Sequence, residues 1–184
     1  MKEINNVETL VYCLNKSFII AEQNLRKMTI NDKKETYYYI SDMVHRLIDC
    51  FDRLGRLDGL DNDIVLGLHG LNNLLKHNPS LDFFHWCESD VTTLPILMDG
   101  KTSEYIQKWS NIDYVKIKPK YEKNERKKIE LYNLYWKDKI VLYTFRYCIK
   151  QINYKYMRLD SIPFIDNFIL KYTLEEDWKD IFVS

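Results

Sequence analysis

Residues 35–57 read ETYYYISDMVHRLIDCFDRLGRL and contain the clearest helical pattern in the chain. Apolar residues recur there every three or four positions, which places them on one face of an α-helix. Charged residues repeat with the same spacing, offset by two, and therefore fall almost opposite the apolar face. Gly55 stands where such a helix would end. The apolar face consists of Ile40, Met43, Leu47, Cys50, Phe51 and Leu54.

A first helix of about 25 residues is predicted over residues 4–28, where apolar spacings of three and four alternate without interruption. Polar residues such as Asn15 and Glu22 lie off this apolar seam. The seam could serve a coiled-coil dimer, but a helix of matching period follows at once, which favours packing within one chain. The seam consists of Ile4, Val7, Val11, Leu14, Phe18, Ala21, Leu25 and Met28.

The two long helices are separated by a short break, in which Asn31 or Asp32 can cap the second helix. This arrangement predicts an antiparallel pair. We expect Leu14, Phe18 and Leu47 to be buried between the two helices.

The remaining sequence predicts further helices and one irregular region. A third, shorter helix carries Ile64, Leu68, Leu71 and Leu75 and ends before Pro79. Residues 81–87 form an apolar cluster, expected as a short helix or packed loop, and residues 88–120 are irregular, with a weak strand pattern over 112–118. One long helix is predicted over residues 122–158, followed by apolar residues at 164–172 and an amphipathic stretch at 175–182. The fold class is therefore all-α: a single domain spanning residues 1–184, a helical bundle of five or six helices with a long N-terminal antiparallel helix pair.

Composition supports one globular domain without a membrane span. The chain has 184 residues, of which 46% are apolar and 29% charged, and its five glycines and four prolines disfavour a turn-rich β fold. Cys13, Cys50, Cys87 and Cys148 form no CxxC pair, so reduced thiols are expected. The N-terminal stretch is amphipathic rather than continuously apolar, and no stretch approaches about 18 apolar residues. We expect a cytoplasmic protein.

Charge is unevenly distributed although the net charge is zero. Residues 57–99 contain one basic and seven acidic residues (net −6), whereas residues 100–159 contain fifteen basic and six acidic residues (net +9). The basic third could meet a polyanion or pack on the acidic segment, and overall neutrality favours the second interpretation. The nucleic-acid-binding candidates are Lys116, Lys118, Lys120, Lys123, Arg126, Lys127 and Lys128, which surround Tyr121.

The charged face of the second helix contains the candidate catalytic residues. Asp42, Arg46, Asp49 and Arg53 alternate in sign at spacings of three and four, as on a solvated, salt-bridged helix face or along a cleft. His45 lies between Asp42 and Asp49 on one side of the helix, which is enough to orient an imidazole. A metal site needs further ligands that no spacing supplies, so we expect no metal and no cofactor. The candidate catalytic set is Asp42, His45, Arg46 and Asp49.

The other histidines give weaker signals. His69 and His77 point about 80° apart on a helix, and His85 with Cys87 lacks a second ligand cluster. The sequence contains neither a GxSxG nucleophile motif nor a glycine-rich phosphate loop.

Residues 37–57, followed by a short third helix, resemble short bacterial members of the HEPN helical superfamily. The resemblance rests on aromatic residues near the beginning of one long helix, here Tyr37–Tyr39. An Asp, an Arg and a later Asp follow on the same helix, here Asp42, Arg46 and Asp52. Ribonucleases of that family carry an Arg followed, after four to six residues, by a His, and none of the seven arginines here has such a partner. The resemblance therefore implies the scaffold without the nuclease motif, as in non-catalytic modules of phage-defence or toxin–antitoxin systems.

Two functional hypotheses follow. The first is a non-enzymatic intracellular helical module that binds a macromolecular partner, with a protein or a second copy of the chain expected, nucleic acid possible and no membrane. The alternative is a HEPN-type ribonuclease or another enzyme with a cleft around Asp42, His45, Arg46 and Asp49.

Overall fold

A computed structural model describes residues 6–29, 31–55, 60–77, 84–88, 105–113 and 123–156, and the structural statements below concern these residues. They form five helices and one small antiparallel sheet, which confirms the predicted all-α helical bundle. The elements are α1 (Asn6–Leu25), α2 (Lys33–Leu54), α3 (Asn62–His77), β1 (Phe84–Glu88), β2 (Tyr105–Trp109), α4 (Lys123–Tyr135) and α5 (Val141–Tyr156).

Helices α1 and α2 pack as the predicted antiparallel pair. Leu14 and Leu47 are fully buried and Phe18 is 2% exposed, as the heptad pattern predicts. Helix α2 ends at Leu54, and Gly55 follows with a φ of 82°, a left-handed conformation that glycine adopts without the steric cost of a Cβ. The apolar seam therefore serves an intramolecular contact.

The expected side-chain cap at the beginning of α2 is not formed by Asp32. Asp32 occupies the N-cap position of α2 but makes no side-chain cap hydrogen bond. Its carboxylate instead accepts hydrogen bonds from the Thr29 backbone N–H at 2.7 Å and from the Thr29 hydroxyl at 3.0 Å. These hydrogen bonds lower the pKa of Asp32. The side chain thus stabilises the turn rather than the first turn of the helix.

Helices α3 and α4 approach each other unusually closely at two glycines. A Cβ at Gly67 would lie 2.9 Å from the backbone nitrogen of Tyr132, and one at Gly70 would lie 2.9 Å from the Cβ of Lys128. Neither distance leaves room for a methyl group, and the neighbouring atoms include backbone that cannot move independently of α4. The two glycines therefore determine how near α4 lies to α3.

We predict that Gly70→Ala destabilises the protein. Helix propensity alone would favour alanine by about 1 kcal/mol, but overpacking typically costs about 1–3 kcal/mol, so a net loss of up to about 2 kcal/mol is expected. Urea denaturation measures the difference. Asn124→Ala, at an exposed position on α4, serves as the control for propensity alone. A Gly70→Ala variant more stable than the native protein would show that α4 can shift.

Two predictions about secondary structure are wrong. Residues 84–88, expected as part of a short helix or packed loop, form strand β1, which pairs with β2 in the register Phe84 opposite Trp109. Residues 105–109, expected to be irregular, form strand β2. Of the weak strand pattern at 112–118, residues 112 and 113 are not in a strand, and residues 114–118 lie outside the described residues.

The long helix predicted over residues 122–158 is also wrong, because it is divided into α4 and α5 by a turn at residues 136–140. Asp138 has a φ of 66°, a left-handed conformation that aspartate tolerates better than most residues. Its backbone N–H donates to the Trp109 carbonyl, and the Trp109 N–H donates to the Lys139 carbonyl, each at 3.0 Å. The turn thus pairs with β2 instead of continuing the helix.

One hydrophobic core joins all five helices and β2. Trp109 lies at its centre, with no exposed surface and with the rings of Phe84, Tyr132 and Phe145 at centroid distances of 5.1, 6.2 and 6.1 Å. The apolar segments predicted at 164–172 and 175–182 lie outside the described residues.

Two of the cysteines are core thiols. Cys50 and Cys148 are buried and free, and burial raises the pKa of each thiol to about 12. Cys13 is also free and partly exposed. Within the described ranges, no helix combines the length and the apolar character needed to cross a membrane.

Candidate functional site

The charged ladder on α2 is a solvent-accessible face. Asp42 lies 3.6 Å from Arg46, and Asp49 lies 2.7 Å from Arg53, both as pairs four residues apart. The two arginine side chains are 48% and 64% exposed, and both aspartates are 37% exposed. Exposed pairs of this kind contribute only about 0.2–0.5 kcal/mol each.

Asp42 and His45, two members of the candidate catalytic set, contact different neighbouring helices. The Asp42 carboxylate accepts a hydrogen bond of 2.5 Å from the Ser17 hydroxyl on α1. The His45 ring contacts the side-chain oxygen of Asn72 on α3 through Nδ1. Each side chain therefore has a partner that holds one helix against another.

The environment of His45 favours a neutral ring. Burial lowers its pKa, and the charges of Lys76 and Arg46 act in the same direction, while the contact with Asn72 opposes them. Because the Asn72 oxygen is an acceptor, Nδ1 donates the proton and Nε2 keeps its lone pair. A neutral His45 can therefore link α2 to α3 at neutral pH.

This pKa shift predicts a pH dependence of stability. His45 has a folded-state pKa below its unfolded value of about 6.5, so between these two values the unfolded chain binds more protons. The free energy of unfolding should therefore fall as the pH drops through about 6.5, and the loss should level off below the folded-state pKa. Denaturation of the native protein and of His45→Gln between pH 8 and 5 measures the difference. Other titrating groups are common to both proteins, and parallel pH profiles would contradict the prediction.

The other positions of the HEPN resemblance also make contacts between helices. The Tyr37 hydroxyl donates to the Leu75 carbonyl on α3, and Asp52 lies 3.3 Å from Nε2 of His69, also on α3. His69 therefore has a partner on α2. Tyr38 is 59% exposed and meets the Tyr39 ring edge-on at a centroid distance of 5.1 Å.

The basic tract is divided between described and undescribed residues. Lys116, Lys118 and Lys120 lie outside the described residues, whereas Lys123, Arg126 and Lys127 are exposed on α4. Lys128 differs from these three because it is mostly buried and lies 2.8 Å from Glu125.

Glu125 anchors the start of α4 to α3. Its carboxylate accepts hydrogen bonds of 3.0 Å from the Asn73 amide and 2.8 Å from Lys128. Burial alone would raise the pKa of Glu125, but these hydrogen bonds and the charge of Lys128 lower it. The end of α3 and the beginning of α4 are therefore held side by side.

Sequence reasoning missed the polar contact between α1 and α5. Asn15 and Glu22 lie off the apolar seam, yet they are 6% and 1% exposed. The Asn15 and Asn153 amides donate to each other at 2.8 Å, and the Glu22 carboxylate pairs with Arg146. Seven residues separate the polar positions on each helix, so an antiparallel α5 brings both pairs into register.

The spacing of seven between Asn15 and Glu22 was visible in the sequence. A single sequence, however, does not indicate that Asn15 pairs with a residue 138 positions further along the chain.

No cluster of three or more potential metal ligands occurs in the described part of the chain.

Comparison of the chain with protein-family models, curated proteins and solved structures finds no match.

Proposed function

We propose that this protein is a non-enzymatic helical module that binds a macromolecular partner. The observation that carries the proposal is the engagement of Asp42 and His45 by separate helices, Asp42 by Ser17 on α1 and His45 by Asn72 on α3. General acid–base chemistry needs its groups directed at one reacting atom. Here the two side chains instead take part in packing α1, α2 and α3.

The charged face of α2 is better suited to an interaction surface than to a reaction site. Its carboxylates and guanidiniums already pair with each other, and they are accessible to solvent. The HEPN resemblance remains part of the proposal: a scaffold of that kind without the nuclease motif, acting inside the cell, as in phage-defence or toxin–antitoxin systems.

A ribonuclease assay tests the proposal against the alternative. Labelled single-stranded RNA is incubated with the native protein and with the His45→Ala/Arg46→Ala variant. We expect the same RNA stability in both samples and in buffer. Cleavage that the native protein causes and the variant lacks would establish the enzymatic alternative. A His77→Ala variant, at an exposed histidine of α3 outside the candidate catalytic set, controls for contaminating nuclease and for loss of any histidine.

A further inference from the structure

Four helix ends lie next to one another at one end of the bundle. The last turn of α1 leads into the first turn of α2 through the turn at Thr29. The Tyr37 hydroxyl joins the beginning of α2 to the Leu75 carbonyl at the end of α3. The Asn73–Glu125 hydrogen bond of 3.0 Å joins the end of α3 to the beginning of α4. Residues far apart in sequence therefore share one surface.

Exposed cations from all four segments lie on this surface, which we call the basic end. One lysine follows the end of α1, two begin α2, one is near the end of α3, and three cations belong to the first turns of α4. The residues of the basic end are Lys27, Lys33, Lys34, Lys76, Lys123, Arg126 and Lys127, all exposed.

Among the described residues, fewer carboxylates than cations lie at these four helix ends. Glu22 pairs with Arg26 and Arg146, and Glu125 is bound by Asn73 and Lys128. Three exposed carboxylates remain. Asp32 and Glu35 lie at the beginning of α2, and Glu130 follows Arg126 by four residues on α4. Seven cations against three carboxylates (7 − 3) leave the described part of the basic end with a net charge of +4.

Asp63, the acidic residue of α3, is too distant to compensate the positive charge of the basic end. Asp63 lies at the beginning of α3 and Lys76 at its end, thirteen residues apart, which is about 20 Å along the helix axis. Charges in solvent are largely screened beyond about 8–10 Å at physiological salt. A chain of zero net charge can therefore still present a local field that attracts a polyanion.

An exposed aromatic ring accompanies the cations. Tyr38 is 59% exposed, and it follows Lys34 by four residues, so that the two side chains are neighbours on α2. Proteins that bind single-stranded nucleic acid combine a positively charged surface with aromatic rings on which bases stack. The centre of a protein interface is more apolar than its rim, whereas the described part of the basic end presents charged side chains, most of them cations, with this tyrosine.

We infer that the basic end binds the phosphate backbone of a single-stranded nucleic acid, with Tyr38 stacking on a base. The inference rests on the proposed function, because it names the class of the macromolecular partner. Its basis is that cations from α2, α3 and α4 lie at adjacent helix ends. The linear tract at residues 116–128 includes the cations of α4 but none of those from α2 and α3.

Fluorescence anisotropy with a labelled single-stranded RNA of about 15 nucleotides, at two salt concentrations, tests the inference. If five phosphates are contacted, the slope of log affinity against log salt should be about −3.5, from about −0.7 per contact. The variant Lys34→Gln/Lys76→Gln/Lys127→Gln removes one exposed cation from each of three helices. It should bind at least about tenfold more weakly and reduce the magnitude of the slope by about 2.

A matched control makes the same charge change elsewhere. Lys16→Gln/Lys137→Gln/Lys155→Gln also removes three exposed lysines, and it should change affinity less than about twofold. Tyr38→Ala should weaken binding by about tenfold if the ring stacks on a base. Unlabelled single-stranded DNA of the same sequence should compete nearly as well as RNA, because the phosphates that the cations contact are common to both. Polyglutamate that competes equally well would instead assign the surface to an acidic protein and overturn the inference.

Failure of the inference can be distinguished from failure of the proposed function. RNA that stays intact but does not bind, or binds equally to both lysine variants, would overturn the nucleic-acid assignment alone. RNA cleavage lost with His45 would overturn the proposed function, whatever the behaviour of the basic end.

Discussion

Glu22→Gln is expected to lower the free energy of unfolding by about 3–5 kcal/mol, because it leaves the charge of Arg146 without its carboxylate in a mostly buried position. Glu22 and Arg146 have side chains 2% and 11% exposed, so water cannot replace the lost partner easily. Arg146→Met should cost a similar amount, since it leaves the buried Glu22 charge with Arg26 alone. Urea denaturation followed by circular dichroism measures both values.

Two further variants separate pairing from packing. Arg26 contacts the same carboxylate at 3.0 Å but is 50% exposed, so Arg26→Ala should cost no more than about 1 kcal/mol. Replacing Glu22 with Leu and Arg146 with Met together removes both charges and should recover most of the stability. A double variant as unstable as the sum of the single variants would show that the two residues act independently.

Phe18→Ala is the second large effect, with an expected cost of about 3–5 kcal/mol. Removal of a buried phenyl ring loses its transfer free energy and leaves a cavity that the neighbouring side chains fill only in part. Phe18 is 2% exposed on the face of α1 that also carries Leu14, and it contributes to the contact with α2. The same denaturation experiment applies, with an unchanged dependence on urea concentration if the native fold is retained.

Ile20→Ala is the control for Phe18→Ala. Ile20 lies two residues further along α1 and is 41% exposed, so its truncation should cost less than about 1 kcal/mol. A loss below about 1 kcal/mol in Phe18→Ala itself would remove the apolar seam as the basis of the helix pair.

Local periodicity was sufficient to predict the first three helices. Apolar spacing predicted most of the apolar residues of α1 and α2 that are buried, and Gly55 predicted the end of α2, which is at Leu54. The charged ladder could also be predicted, because residues three and four apart on one helix are neighbours whatever the rest of the fold does.

Contacts between distant segments decided the rest. Residues 136–140 had a helical pattern, but their backbone pairs with β2, and this pairing outweighed local preference. The apolar cluster at residues 81–87 had no periodicity to distinguish a strand from a helix, and its partner strand lies some 20 residues further along the chain. Whether such a segment forms a helix or a strand depends on the segments that pack or pair with it in the folded chain.

The sequence by itself determined the helical class, the α1–α2 seam and the types of charged residue on each helix, because helical periodicity is local. The tertiary structure alone decided that Glu22 meets Arg146 and that His45 meets Asn72. It also decided that the lysine-bearing ends of α2, α3 and α4 are adjacent. Each of these depends on the direction in which one helix crosses another. That direction is determined by close packing, including the contacts at Gly67 and Gly70, rather than by any pattern within a single helix.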